Sequence, residues 1–317
     1  MNNRKEKTNH WSEYWQNGQL TSLPQDFTEN YKGDIAKIWH AAFNGLTSNS
    51  KVLDICTGNL AIALLASQFS ESKNLSFEIS ALDAAEIKKN RIINSNPHLS
   101  QHIQNITLLA GRKLENVCLP ANHFDLITSQ YGVEYTHWQK AARSIKSLLK
   151  TNGKFGMICH AHSSKIMATM KQEEQDYVFL FDTGFFNVIL QFEKDEINYQ
   201  QFMKQLLYIH DVIANQNSKQ ASKLLSTIYT IVGNILKSEH ELLIQHKKQL
   251  LQLHWQYQSA FKRMQDVLNV GKAMQKEPMW YQVFLDVGLK LERKQAVITQ
   301  SKTHLGDYYQ FINNPKA

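Results

Sequence analysis

Between residues 51 and 160, short apolar runs alternate with segments of helical period. That alternation restricts the fold more than any other feature of the chain. Val52-Leu53-Asp54-Ile55 reads as a strand buried on both faces. A helix follows over 59–69, with apolar residues at 60, 62, 64, 65 and 69. Residues 75–82 read as a second strand. A helix over 87–94 is interrupted by Asn96-Pro97. Strands three and four are expected over 106–110 and 124–128. A helix over 138–150 is stopped by Asn152-Gly153, and 154–160 forms a fifth strand. Strands joined through helices need right-handed crossovers, so these five form a parallel sheet.

After Ser163-Ser164 the pattern stays helical for more than a hundred residues. Leu224, Leu225, Ile228, Ile231, Val232, Ile235 and Leu236 repeat on one face, behind a cap at Asn217-Ser218. A longer helix is expected over 239–270. Pro278 is placed like a first-turn proline and Gly288 like a helix stop. Strand-like runs return at 289–298 and 305–312. The expected fold is therefore α/β, with one seven-stranded, mostly parallel sheet and a large all-helical insertion after strand five. The boundaries are 1–50 for an N-terminal helical lid segment and 51–164 for the core. The insertion spans 165–275, and 276–317 holds the last core helix and the closing strands. Phe179, Phe181, Phe185 and Phe186 make the first half of the insertion very apolar. It serves as a substrate cap, as an oligomer interface giving a homodimer, or simply as a helical core.

Composition excludes several classes. With 317 residues, 43% hydrophobic and 20% charged, the chain can bury a full core and is neither disordered nor fibrous. Cys56, Cys118 and Cys159 form no C-x-x-C pair, which suits a reducing cytoplasm, the expected location. The start, residues 1–10, is polar and unlike a signal peptide, and no run of 18 apolar residues exists. Net charge is +7, with 17 basic and 13 acidic residues in 1–164. The excess is spread along the chain without a basic run, which argues against nucleic-acid and membrane partners. None of the 13 histidines stands in a metal-ligand pattern, so no metal is expected.

In an open α/β sheet, ligands bind at the carboxyl ends of strands. The first such end reads Asp54-Ile55-Cys56-Thr57-Gly58-Asn59-Leu60 and runs into a helix. Small residues let backbone approach a ligand, and the helix N-terminus presents free N–H groups. The second reads Ala81-Leu82-Asp83-Ala84, with the acid 25 positions past Gly58. Asp83 can accept both hydroxyls of a ribose; the plainer alternative is a tight turn beside a solvated aspartate.

With these motifs the sequence resembles the class I, Rossmann-like, S-adenosylmethionine-dependent methyltransferases. In that resemblance Asp54 takes the acid position of the first motif and Gly58 its central glycine. Cys56 and Leu60 replace the outer glycines. Asp83 takes the ribose-binding position. The stretch 111–127 resembles the third motif, with Arg112 where an aspartate commonly faces the adenine amine, so backbone and apolar contacts would recognise the base. Ser129-Gln130-Tyr131 matches the segment facing the methionine moiety, and 148–155 resembles the turn into strand five. The resemblance covers about 50–160 and, more weakly, 289–313. It implies S-adenosylmethionine as cofactor, with S-adenosylhomocysteine as product. The cofactor-binding residues it implies are Asp54, Cys56, Thr57, Gly58, Asn59, Asp83, Ala84, Arg112, Lys113, Ser129, Gln130 and Tyr131, with Trp15 added from the N-terminal segment. A nicotinamide dehydrogenase would need G-x-G-x-x-G, whereas the chain reads Gly-Asn-Leu-Ala-Ile-Ala from Gly58.

Methyl transfer from a sulfonium is a direct displacement. It needs alignment and exclusion of water, and a base only where the acceptor must lose a proton. Glu134 and Tyr135 follow strand four; His160 and His162 follow strand five. His160 and Glu134 are the catalytic candidates, with His162 behind them. Glu134 could instead orient the cofactor's amino group, and His160 could be structural. Trp11, Tyr14 and Trp15 share one helix face, as a lid over the site or as a staple onto the core. The expected function is methyl transfer to a small-molecule acceptor. Methylation of tRNA, other nucleic acid or protein is the alternative enzyme, and an S-adenosylmethionine-binding interaction module is the alternative without catalysis.

Overall fold

A computed structural model describes residues 10–22, 27 and 29–314. The chain divides into two compact units, one of residues 1–167 with 269–317 and one of residues 168–268. Among the described residues, no helix is long and apolar enough to cross a membrane.

The first unit is built on seven strands: β1 (Lys51–Ile55), β2 (Glu78–Leu82), β3 (Thr107–Leu109), β4 (Phe124–Gln130), β5 (Leu149–Cys159), β6 (Lys290–Ile298) and β7 (His304–Ile312). Their order is β3-β2-β1-β4-β5-β7-β6. The first five pair in parallel, and β7 runs antiparallel to both β5 and β6. The sheet is therefore α/β and mostly parallel, with a mixed edge. Chain order reverses between β1 and β4, which opens a crevice at their carboxyl ends.

The sequence explains these strands. Val52, Leu53, Asp54 and Ile55 are all buried, as a central strand covered on both faces requires. One layer is the helix Trp138–Leu148 with the short helix Gln282–Asp286, whose Ile145, Leu148 and Phe284 join Leu53, Ile127, Phe155 and Phe311 in one cluster. The crossover helix Ala61–Ser72 between β1 and β2 buries six consecutive residues, Ala61 to Ala66, and the helix Gly33–Phe43, ahead of β1, buries Ile35, Trp39 and Phe43. Fully burying one such large apolar side chain contributes about 1.5–3 kcal/mol.

Several expected boundaries shift. The helix after β4 ends at Leu148, and Asn152-Gly153 lies within the span of β5. Asn152 takes φ +63 there, and pairing with β4 jumps from Leu149 to Lys154, so the pair forms an irregularity of the strand rather than a helix stop. Pro278 sits in a turn ahead of the helix Gln282–Asp286 instead of in a first helical turn.

The second unit is helical. The helix Tyr199–Lys219 begins with a reciprocal cap between Asn198 and Gln201, and Phe192 stacks on Phe202 with centroids 4.0 Å apart. The helix Lys223–Leu236 buries Leu225, Ile228, Val232 and Ile235, the expected face. Its cap is Ser222. Asn217 and Ser218 belong to the preceding helix, and Asn217 Oδ1 accepts the Ser222 N–H. The expected long helix over 239–270 is broken at His246 into His240–Gln245 and Lys247–Lys276.

Candidate functional site

The carboxyl ends of β1, β2, β4 and β5 carry most of the residues singled out in the sequence. After β1 the backbone turns left-handed at every second residue: Cys56 at φ +53, Gly58 at +52 and Leu60 at +71. The glycine-poor loop thus keeps a conformation that glycine adopts freely, and two residues with side chains bear the strain. Asp54 is buried and turned into the protein. Its Oδ2 accepts from Thr57 Oγ1 at 2.5 Å, its Oδ1 from Thr128 Oγ1 at 2.8 Å, and the Ala63 N–H donates to it at the start of the helix Ala61–Ser72. Burial outweighs these donors and pushes the Asp54 carboxyl up to about 7. Asp54 and Thr57 therefore shape the turn from beneath.

Asp83 joins the first two strand ends. Its Oδ2 accepts the Gly58 N–H at 2.7 Å and its Oδ1 the Ala85 N–H at 2.7 Å. Burial raises its carboxyl above the ordinary value while those donors oppose the rise. Thr57 N–H also reaches Leu82 O, and Asp83 O accepts the Arg112 N–H. The Ala84 N–H also acts on this carboxylate, which leaves it acceptor capacity for a ribose hydroxyl. Ala84 is half-buried beside it. Arg112 and Lys113 are exposed.

The ends of β4 and β5 form the other wall. Ser129 Oγ accepts the Val133 N–H. Gln130 Oε1 accepts from Trp39 Nε1 at 2.7 Å, which orients the amide. Tyr131 takes φ +50, its N–H donates to Ile158 O, and its ring stacks on His160 at 4.7 Å and 16°. Gly132 packs against Cys56, where a Cβ would stand 2.3 Å from the cysteine Cβ. Glu134 is 2% exposed. Its Oε1 accepts the His160 N–H at 3.0 Å, the Cys159 thiol lies against the carboxyl group, and burial pushes it up to about 7. Burial drives His160 the other way, down to about 4, so its ring is neutral at physiological pH. Tyr135 meets the His160 ring edge-on at 6.0 Å.

The N-terminal segment covers this edge. Residues 10–15 are helical. Trp15 lies on Gly58, where a Cβ would come within 2.4 Å of the indole. Asn59 Nδ2 donates to Trp15 O and Gln19 O, and Glu86 N–H donates to Ser12 Oγ. The Trp11 ring meets Tyr135 at 6.0 Å.

Four buried polar atoms at these strand ends have no nitrogen or oxygen partner among the described residues: Asn59 Oδ1, Gln130 Nε2, Glu134 Oε2 and His160 Nδ1. Native proteins rarely leave such atoms unpaired, because each costs roughly 1–3 kcal/mol. Two acceptors, a donor and an imidazole nitrogen, with the free capacity of Asp83, suit a ligand carrying a diol, an amino group and a carboxylate. The residues present therefore fit S-adenosylmethionine. His162 Nδ1 is also unpartnered. Trp39, Gly132 and Cys159 are components that local sequence pattern left unmarked. Trp39 reaches Gln130 across 91 positions, and no short-range signal reports such a contact.

No protein-family model and no curated protein sequence matches the chain. Solved structures do show likeness. The Haloferax volcanii protein described as a methyltransferase, solved with the Trm112 methyltransferase activator, is 8% identical. That match covers 96% of this chain and 97% of that one, at a TM-score of 0.45. A Methanococcus maripaludis protein assigned as an S-adenosyl-L-methionine-dependent methyltransferase is 15% identical, covering 90% and 85% at a TM-score of 0.41. The YcgJ protein of Bacillus subtilis is 18% identical at a TM-score of 0.35. There the match spans 43% of this chain and 58% of that one, little more than half its length.

Proposed function

We propose that this protein is a class I methyltransferase that uses S-adenosylmethionine and passes its methyl group to a small-molecule acceptor. The observation that carries the reading is the set of unpartnered buried polar atoms at Asn59, Gln130, Glu134 and His160, which stand at or follow the carboxyl ends of β1, β4 and β5. A bound cofactor would supply an electrophilic methyl on a sulfonium, and the protein's task is then positional. Asp83 takes the ribose hydroxyls with Gly58 and Ala84 at close approach. Asn59 and Gln130 take polar ends of the amino-acid moiety, and Trp15 closes over Gly58. Tyr131, His160 and Glu134 bound the acceptor side. Residues 165–275 act as an insertion into the sheet domain, and the setting is the cytoplasm.

Differential scanning fluorimetry with S-adenosylhomocysteine tests this. Ligand at 100 times its dissociation constant adds about 2.7 kcal/mol of stability. Asp83→Ala should remove most of the shift while leaving the protein folded. No shift at millimolar ligand would defeat the reading.

A further inference from the structure

We infer that Trp39 is a positioning residue: its indole N–H pins the Gln130 amide so that the amide nitrogen reads the carboxylate at the cofactor's amino-acid end. This rests on the reading above and adds to it a residue outside the strand ends that sets the polarity of the site. The helix Gly33–Phe43 buries Ile35, Trp39 and Phe43 on successive turns of one face. Trp39 is fully buried. Its ring meets Phe43 at 6.4 Å and Tyr308 edge-on at 6.0 Å. Gly156 of β5 makes room for it, since a Cβ there would stand 3.3 Å from the indole. Held in this way, Nε1 donates to Gln130 Oε1 at 2.7 Å.

An indole N–H can only donate, so it can face only the oxygen of a side-chain amide. The Gln130 amide nitrogen is thereby turned the other way, where it is buried and has no partner among the described residues. The two ends of an amide are nearly alike in shape, so without the indole the group could turn over and offer oxygen in place of nitrogen. Trp39 therefore decides that the end of β4 presents a donor, and the matching group on a ligand is an acceptor. β1 lies between β2 and β4. A cofactor whose ribose sits on Asp83 after β2 thus extends its amino-acid end towards β4. There the carboxylate accepts hydrogen bonds and the ammonium does not. The other amide of the site is pinned in the opposite sense. Asn59 Nδ2 donates to Trp15 O and Gln19 O, which leaves Oδ1 as an unpartnered acceptor. One amide suits a carboxylate and the other an ammonium. A hydrogen bond to a charged group changes affinity by about tenfold or more.

The test is calorimetric titration of the full chain with S-adenosylhomocysteine and with its decarboxylated analogue, which keeps the amine and lacks only the carboxylate. The unaltered protein should bind S-adenosylhomocysteine about tenfold more tightly than the analogue. Trp39→Phe keeps an aromatic ring against Tyr308 and removes the N–H. It should weaken S-adenosylhomocysteine about fivefold and leave the analogue within about twofold, whereas a merely structural role would weaken both alike. Gln130→Glu keeps an acceptor for the indole and puts a second oxygen where the nitrogen stood. It should reverse the preference between the two ligands, and it decides the matter if the Trp39 variant does not fold. The inference is overturned if the unaltered protein does not distinguish the ligands, or if Trp39→Phe weakens both equally or neither. It is also overturned if Gln130→Glu still prefers the carboxylate. Failure of S-adenosylhomocysteine to bind the unaltered protein would instead strike the methyltransferase reading.

Discussion

The indole of Trp15 rests on the backbone of Gly58, so close that a methyl group added at Gly58 would stand 2.4 Å from the ring. Gly58 also takes φ +52 and gives its N–H to Asp83. One glycine thus serves the turn after β1, the contact to β2 and the seat of the N-terminal segment.

Gly58→Ala should destabilise the protein by about 2–3 kcal/mol, from the left-handed backbone and the displaced indole together. Trp15→Ala in the same chain should recover part of this, giving a coupling above about 0.5 kcal/mol in urea unfolding. Strictly additive losses would show that the two residues do not meet.

Removing residues 1–30 should leave the sheet domain folded and weaken S-adenosylhomocysteine. Asn59 Nδ2 would lose Trp15 O and Gln19 O, and Gly58 would face solvent. Circular dichroism checks the fold and calorimetry the affinity. An unchanged dissociation constant in a folded truncation would make the segment a staple instead of a lid.

His160 sets an acid limb of the stability curve. Its value falls from 6.5 to about 4 because the buried ring resists charging. The stability it contributes is complete above 6.5 and is lost as pH falls from there towards 4, because the unfolded chain takes up the proton first. His160→Asn should flatten that limb by on the order of 2–3 kcal/mol. Melting temperatures at pH 4.5 and 7 compare the two proteins, and an unaltered pH slope would refute a buried neutral imidazole.

Glu134 acts in the opposite sense. Burial raises it from 4.5 to about 7, so its contribution is full below 4.5 and is lost as pH rises through 7, where the carboxylate must charge inside the protein. Glu134→Gln should raise stability at pH 8 by on the order of 2 kcal/mol and change little at pH 4.5. Part of the alkaline limb should persist, since Asp54 is raised to about 7 by the same cause. Equal effects of the substitution at both pH values would exclude an uncompensated carboxylate.

Much of this site could be read from local pattern. A strand that is apolar throughout, followed by small residues and a helix, places Asp54 to Leu60 at a strand end whatever the rest of the chain does. Asp83 follows by the same logic on β2. Cys56 and Leu60 replace the outer glycines of that motif, and both occupy left-handed conformations all the same. Nothing in their side chains announces it, because the conformation is imposed by the packed loop. Asn217-Ser218 suited a cap by residue type, yet Ser222 caps the helix, because a hydrogen bond from Ser222 Oγ to Asp176 in another helix selects it.

The sequence by itself determined the alternation of strands and helices and which residues stand at strand ends, because period and turn chemistry act over a few residues. Only the tertiary structure decided which ends face one another. Strand order set β4 beside β1 and brought Gln130 to Trp39, Asp83 to Gly58 and Trp15 onto the turn. Burial is a property of the packed whole, so it alone left Glu134 and His160 shifted in opposite directions with an atom unpaired on each.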